Sequence, residues 1–242
     1  HISDSTVIGF PHMHLSGTGI GDLFDITFMP VTGEVTYARG VEADQNSGLW
    51  SYSDRSKEVV KPGYYATHLM RYGIDVELTA TKRVGFHKYT FPQGKDAAVV
   101  IDLQNGGCWD SPTKAYINKV DDKTIEGYRY SSGWANDQRV FFVAEFSQPI
   151  TSLDVMVDKG EAVADKGEGK IVYARANVDA KEPLYVKVAL SPTSIENAKM
   201  NLQAELPGWD FEGTVAQADQ AWEKALAKVD MESSCDKTKK IF

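Results

Sequence analysis

Hydrophobic and polar positions alternate with a period of two through most of this chain, then change to a helical period toward its end. Residues 65–72 and 74–82 read as a hairpin around Tyr72-Gly73. In the second arm Val76, Leu78 and Ala80 share one face, while Asp75, Glu77, Thr79 and Thr81 share the other. That alternation marks a half-buried strand. Past Arg83 the parity is mixed, because Val84 and Phe86 compete with His87, Tyr89 and Phe91. A β-bulge at Gly85 would re-phase the strand, and an unbroken ladder there would exclude it. Residues 114–120 and 124–131 predict a second hairpin across 121–123. Residues 97–103, 139–146, 152–157, 170–177 and 184–190 continue a series of short β-branched or aromatic runs bounded by Gly, Pro, Asn or Asp. Such a series predicts a β-sandwich or barrel.

Near the start, residues 7–10 and 23–29 read as strands, with Pro30 and Gly33 marking a turn. Residues 39–61 are polar and aperiodic and read as a long excursion, in which Trp50 and Tyr52 could share a face. At the other end Ile195, Ala198, Leu202 and Leu206 form one stripe, with Ser194 as N-cap and Pro207-Gly208 as the stop. Asp210 caps a second helix whose apolar positions are Phe211, Val215, Ala218, Trp222, Ala225 and Val229. Residues 231–240 are polar.

The 242 residues carry a net charge of -8 and are 42% hydrophobic, an ordinary globular composition. The acidic balance argues against a nucleic-acid partner. No apolar run is long enough to span a bilayer. Cys108 and Cys235 lie far apart and read as free thiols, and no Cys-x-x-Cys spacing points to zinc. The chain starts on His-Ile-Ser-Asp and stops on Ile-Phe, so a processed start and further protein after the end are the expectation.

One stretch is not patterned like a core: Pro11-His12-Met13-His14-Leu15-Ser16-Gly17-Thr18-Gly19-Ile20-Gly21. In an extended segment His12 and His14 point the same way. The glycines allow tight turning and close approach to a ligand. Two histidines without a third ligand do not make a metal site. The run also lacks the Lys of a phosphate loop and precedes a strand rather than a helix. Two readings stay open: imidazole and hydroxyl groups offered to a ligand, or a brace in which the rings bond backbone carbonyls. Asp22, Asp25, Asp102 and Asp110 lie near glycine-rich turns, where turn-forming Asp is the expected role. Trp50, Trp109, Trp134 and Trp209 all lie near Gly or Ser and read as packed rather than exposed. Arg83 and His87, four apart, read as a strand-edge charge and a cross-strand partner.

Taken together, His12 to Gly19, Gly21-Asp22, Met29-Pro30, Lys61-Pro62-Gly63-Tyr64-Tyr65, Arg71-Tyr72-Gly73, Glu77 to Thr81, Arg83-Val84-Gly85-Phe86-His87, Ile101-Asp102-Leu103 and Ser194 to Ala198 resemble, in order, the N-terminal domain of glycoside hydrolase family 92. Pro11, Met13 and Ile20 depart from that pattern. The resemblance implies a mainly β fold, a galactose-mutarotase-like supersandwich over residues 1–190. It also implies a helical linker of two helices over 191–242, leading to a C-terminal (α/α)6 catalytic barrel in the same polypeptide. It implies an extracytoplasmic, bacterial, exo-acting, inverting, calcium-dependent α-mannosidase, with α-1,2 linkages as the expected target. Calcium suits vicinal sugar hydroxyls because it prefers oxygen ligands. The general acid and base, and most of the Ca2+ ligands, would belong to the barrel. This chain would then supply no catalytic and no metal-ligating residue. His12, His14, Ser16, Gly17, Thr18, Gly19 and Asp22 would line or contact a pocket for a mannose-containing glycan. A stand-alone glycan-binding module and a purely structural scaffold are the alternatives, the latter docking through the residue 211–229 stripe.

Overall fold

The computed structural model describes residues 6–13, 25–38, 40–41, 44, 46–104, 110–229 and 232–241. Two large antiparallel sheets face each other. The nine-stranded sheet runs, from edge to edge, Lys166–Gly169, Ser111–Lys119, Thr124–Ser132, Gln138–Phe146, Leu184–Ser191, Val84–Thr90, Ile74–Ala80, Tyr64–Leu69 and Val59–Lys61. The six-stranded sheet runs Ala162–Ala164, Ile150–Val157, Val172–Val178, Ala97–Asp102, Thr27–Thr32 and Phe10–Pro11. Inward side chains of both, among them Phe142, Val186, Val76 and Tyr89 against Phe28, Ile101, Ala174 and Leu153, form one core. The fold is a β-sandwich, mainly β, with helices at the C-terminal end. A small ladder pairs Thr6–Val7 with Ser51–Tyr52.

The expected bulge at Gly85 is absent. Gly85 pairs with Ala80 on one side and Val188 on the other, within unbroken ladders. The mixed parity has another cause: this strand is buried on both faces. Tyr89 faces the sandwich core, while Val84 and Phe86 face a second cluster formed by helix α1 (Ile195–Glu205) and the start of helix α2 (Phe211–Leu226). A strand covered on both sides loses its alternation without any change of register.

The early strands also differ from expectation. The strand is Thr27–Thr32, and Pro30 lies inside it rather than in its turn. Among the described residues Phe10–Pro11 pairs with Thr27 and Phe28, and none pairs with Pro30 on that side of the ladder. This is the position a sheet tolerates for proline. Gly33, at φ +69°, makes the turn. In the excursion, the Arg71 guanidinium donates to the carbonyls of Asn46, Gly48 and Trp50, and Tyr72 Oη donates to Leu49 O. Trp50 and Tyr52 do share a face, their rings edge to face at 5.0 Å.

Both helix caps are as the sequence predicts. Ser194 accepts from Asn197 N and Asp210 from Gly213 N. Ala198, Leu202 and Leu206 are buried on the nine-stranded sheet. The α2 stripe is only half used: Phe211 and Thr214 are buried, whereas Trp222 and Leu226 are exposed, as is Val229 just beyond the helix. The polar tail holds a third helix, α3 (Asp236–Ile241), that periodicity did not reveal. Cys235 is a free, exposed thiol, and Cys108 lies outside the described residues.

Candidate functional site

Of the predicted pocket residues, His12 is described, while His14, Ser16, Gly17, Thr18, Gly19 and Asp22 lie outside the described residues. His12 follows the edge strand Phe10–Pro11, and its ring lies over Gly85, where a side chain would collide with it: a Cβ there would stand 2.8 Å from His12 Cδ2. Its backbone N–H donates to Asp25 O at 3.2 Å, and its ring Nδ1 bonds Ile26 O. One residue thus ties together the two ends of the segment between Met13 and Asp25.

The other ring nitrogen, His12 Nε2, lies 2.7 Å from His87 Nε2, and His87 Nδ1 lies 2.7 Å from Tyr89 Oη. A carbonyl only accepts, so His12 Nδ1 carries its proton and neutral His12 accepts at Nε2. His87 therefore donates from Nε2 and accepts at Nδ1 from Tyr89. The direction of the whole chain, Tyr89 to His87 to His12 to Ile26 O, follows from its last acceptor. Both imidazoles are neutral in this arrangement. Burial pulls His12 down to about 4, opposed by its bond to the Ile26 carbonyl. Burial, then the neighbouring His12, holds His87 well below the ordinary imidazole range. Burial keeps the Tyr89 hydroxyl protonated far above neutral pH.

Ile26, at the end of this chain, is fully buried with φ +55°, a left-handed conformation that a β-branched residue adopts only under constraint. Beside it, Asp25 is held by a buried cation. Arg129 is fully buried and donates to Asp25 Oδ1, to Asp110 Oδ2 at 2.6 Å and to Leu103 O at 2.8 Å. Gln138 Nε2 bonds the other Asp25 oxygen. Asp25 and Asp110 are two carboxylates meeting through one guanidinium. Asp102 does form a turn, accepting from Gln104 N at 2.8 Å. Sequence reading missed Arg129, although the signal is present: it occupies the inward parity of Thr124–Ser132 with Ile125, Gly127 and Ser131.

Of the residues just described, His12, His87 and Gln138 border a cleft of about 820 Å3, lined also by Met13, Thr81, Arg83 and Pro192, among others. Arg83 and His87 both reach it, but their partners diverge. Arg83 Nε and backbone N–H donate to Glu205 of α1, which also accepts from Thr81 Oγ1. The tryptophans do not behave alike. Trp50 is buried, Trp134 and Trp209 are exposed, and Trp109 lies outside the described residues. On the outer sheet face Tyr128 stacks on Tyr130 and Tyr116 at 4.6 and 5.3 Å, with Lys114 and Arg139 over the rings. Their faces are spent on one another and form no flat platform. Among the described residues no group of three or more His, Cys, Asp or Glu side chains is arranged to hold a metal ion.

Residues 1–191 match the model of the glycosyl hydrolase family 92 N-terminal domain, and residues 197–242 match that of the family's catalytic domain. The family GH92 α-mannosidase BT3965 from Bacteroides thetaiotaomicron, solved with and without mannoimidazole, superposes with a TM-score of 0.90 at 34% identity, over 96% of this chain and 32% of that one. The inverting GH92 mannosidase BT2199 from the same organism shares the fold, with a TM-score of 0.80 at 22% identity, over 97% of this chain and 30% of that one. A curated relative from Arthroderma benhamiae, described as an uncharacterized secreted glycosidase, is 25% identical over 95% of this chain and 33% of its own length. The chain spans about a third of the length of these relatives.

Proposed function

Because this chain belongs to glycosyl hydrolase family 92, we propose that it is the substrate-shaping N-terminal part of a calcium-dependent, inverting exo-α-mannosidase acting on α-mannosides of glycans outside the cytoplasm. One observation carries this reading: His12, the described member of the predicted pocket set, is held by Asp25 O and Ile26 O and lines an open cleft on the sandwich. The ring nitrogens of His12 are both engaged by protein partners, so its part in the pocket is to shape the wall and hold the segment. Arg129 engages one oxygen of Asp25 and one of Asp110. Calcium in this reading is held by the part of the protein outside this chain, together with the proton-transfer groups.

The 242-residue chain alone should release no mannose from α-1,2-mannobiose. The full-length enzyme should do so, lose activity on chelation and regain it with Ca2+. Turnover by the chain alone, or undiminished activity after chelation, would overturn the proposal. A purely structural scaffold is distinguished by His12→Ala in the full-length enzyme: unchanged kcat/KM at unchanged thermal stability would favour the scaffold.

A further inference from the structure

Arg175 lies on Val172–Val178 at a position facing away from the sandwich core, yet it is only 8% exposed. Its Nε donates to Asn177 Oδ1 at 2.8 Å. Its Nη1 is buried and has no hydrogen-bond partner among the described residues. A buried charged donor left unpaired is costly, and a native structure that keeps one calls for an explanation. This donor belongs to a cavity of about 470 Å3 bordered by Glu34, Tyr37, Asp96, Asp154, Arg175 and Asn177. No residue of this cavity borders the cleft beside His12.

The cavity floor is fixed in advance. Asn177 Nδ2 donates to Ser152 Oγ at 2.8 Å and to Asp154 Oδ2 at 3.0 Å. Its Oδ1 takes the Arg175 Nε–H, so the amide orientation is set from both ends. Burial keeps the Tyr37 hydroxyl protonated, opposed by the charge and side-chain hydrogen bond of the adjoining Arg175 guanidinium, whose Nη1 is the nitrogen left without a partner.

The charges select the ligand. The unpaired Nη1 requires an acceptor, which a metal ion or an ammonium group lacks. Glu34, Asp96 and Asp154 outnumber the single guanidinium and repel an anion. What satisfies both demands is a neutral molecule rich in hydroxyls, each able to accept from Arg175 and donate to a carboxylate. The tyrosine ring of Tyr37 and the side chains of Met156 and Ala162 add apolar surface. The volume falls in the range of small-molecule sites. We propose that this cavity, on the outer face of the six-stranded sheet, binds a single neutral hexopyranose unit through Arg175, Asp154 and Tyr37.

Saturation-transfer NMR and calorimetry of the 242-residue chain, with methyl α-D-mannopyranoside and a panel of other methyl hexopyranosides, test this. At least one should bind, and Arg175→Gln should weaken it roughly tenfold or more, the loss of a charge-assisted hydrogen bond. Because Arg175→Gln touches a buried network, Ala162→Trp serves as the second variant. It fills the cavity from an exposed position and should abolish the same binding with thermal stability retained. Absence of binding by every hexopyranoside at high millimolar concentration, binding unaffected by Ala162→Trp, or binding of inorganic phosphate in place of the sugars would overturn the proposal.

Discussion

His12 Nε2 and His87 Nε2 face each other at 2.7 Å, joining the residue that follows strand Phe10–Pro11 of one sheet to a central strand of the other. Only one proton fits between them, and the Ile26 carbonyl on the far side of His12 decides whose it is. Long-range 1H–15N correlation spectra at neutral pH should therefore show His12 protonated at Nδ1 and His87 at Nε2. The opposite tautomers would break the chain of bonds from Tyr89 to Ile26.

The same pair sets a pH dependence. His12 titrates at about 4 in the folded chain and at an ordinary 6.5 when unfolded, and His87 is shifted in the same direction. Between these values the unfolded state binds more protons, so stability falls as pH drops below about 6.5 and is fully present above it. For His12 alone the loss by pH 4 is on the order of 3 kcal/mol. Urea midpoints measured from pH 7.5 to pH 4.5 should fall more steeply for the native chain than for His12→Gln/His87→Gln.

Arg129 is the cation between two buried carboxylates. Arg129→Met leaves Asp25 and Asp110 uncompensated and should cost about 3–5 kcal/mol in chemical denaturation. Arg129→Lys should rescue little. A single ammonium cannot reach both carboxylates and the carbonyls of Leu103 and Gln104 that the guanidinium serves. Near-native stability of Arg129→Lys would contradict this geometry.

Gly63 lies under α2. Its φ is +76°, and a Cβ there would stand 2.7 Å from Ala218 Cβ. Gly63→Ala should destabilise the chain by about 1–3 kcal/mol through backbone strain and overpacking. It should also raise hydrogen exchange in Phe211–Leu226 relative to Ile195–Glu205. Equal exchange in both helices would show that α2 does not rest on this glycine.

Much of the architecture follows from local pattern. Alternation along 124–131, the Gly73 turn, and the Ser194 and Asp210 caps each depend on residues within a few positions of one another, and each is found in place; along 74–82 the alternation holds from Ile74 to Glu77, after which Thr79 is buried and Ala80 exposed. What failed did so where a distant element intervened. Parity around Gly85 was lost because two helices cover the second face of its strand. Pro30 looked like a turn because the shortness of its neighbouring strand is not visible from its own surroundings.

The sequence by itself determined most of the long strands, the capped helices and the family to which the chain belongs, because periodicity, caps and ordered motifs are written in neighbouring residues. Only the tertiary structure decided that His12 meets His87, that Asp25 and Asp110 share Arg129, and that Arg175 keeps a donor unpaired in a cavity. Residues 75 positions apart in the chain for the first pair, and 104 for Asp25 and Arg129, are brought together by sheet pairing and core burial. Protonation and ion pairing then depend on that shared burial rather than on any local pattern.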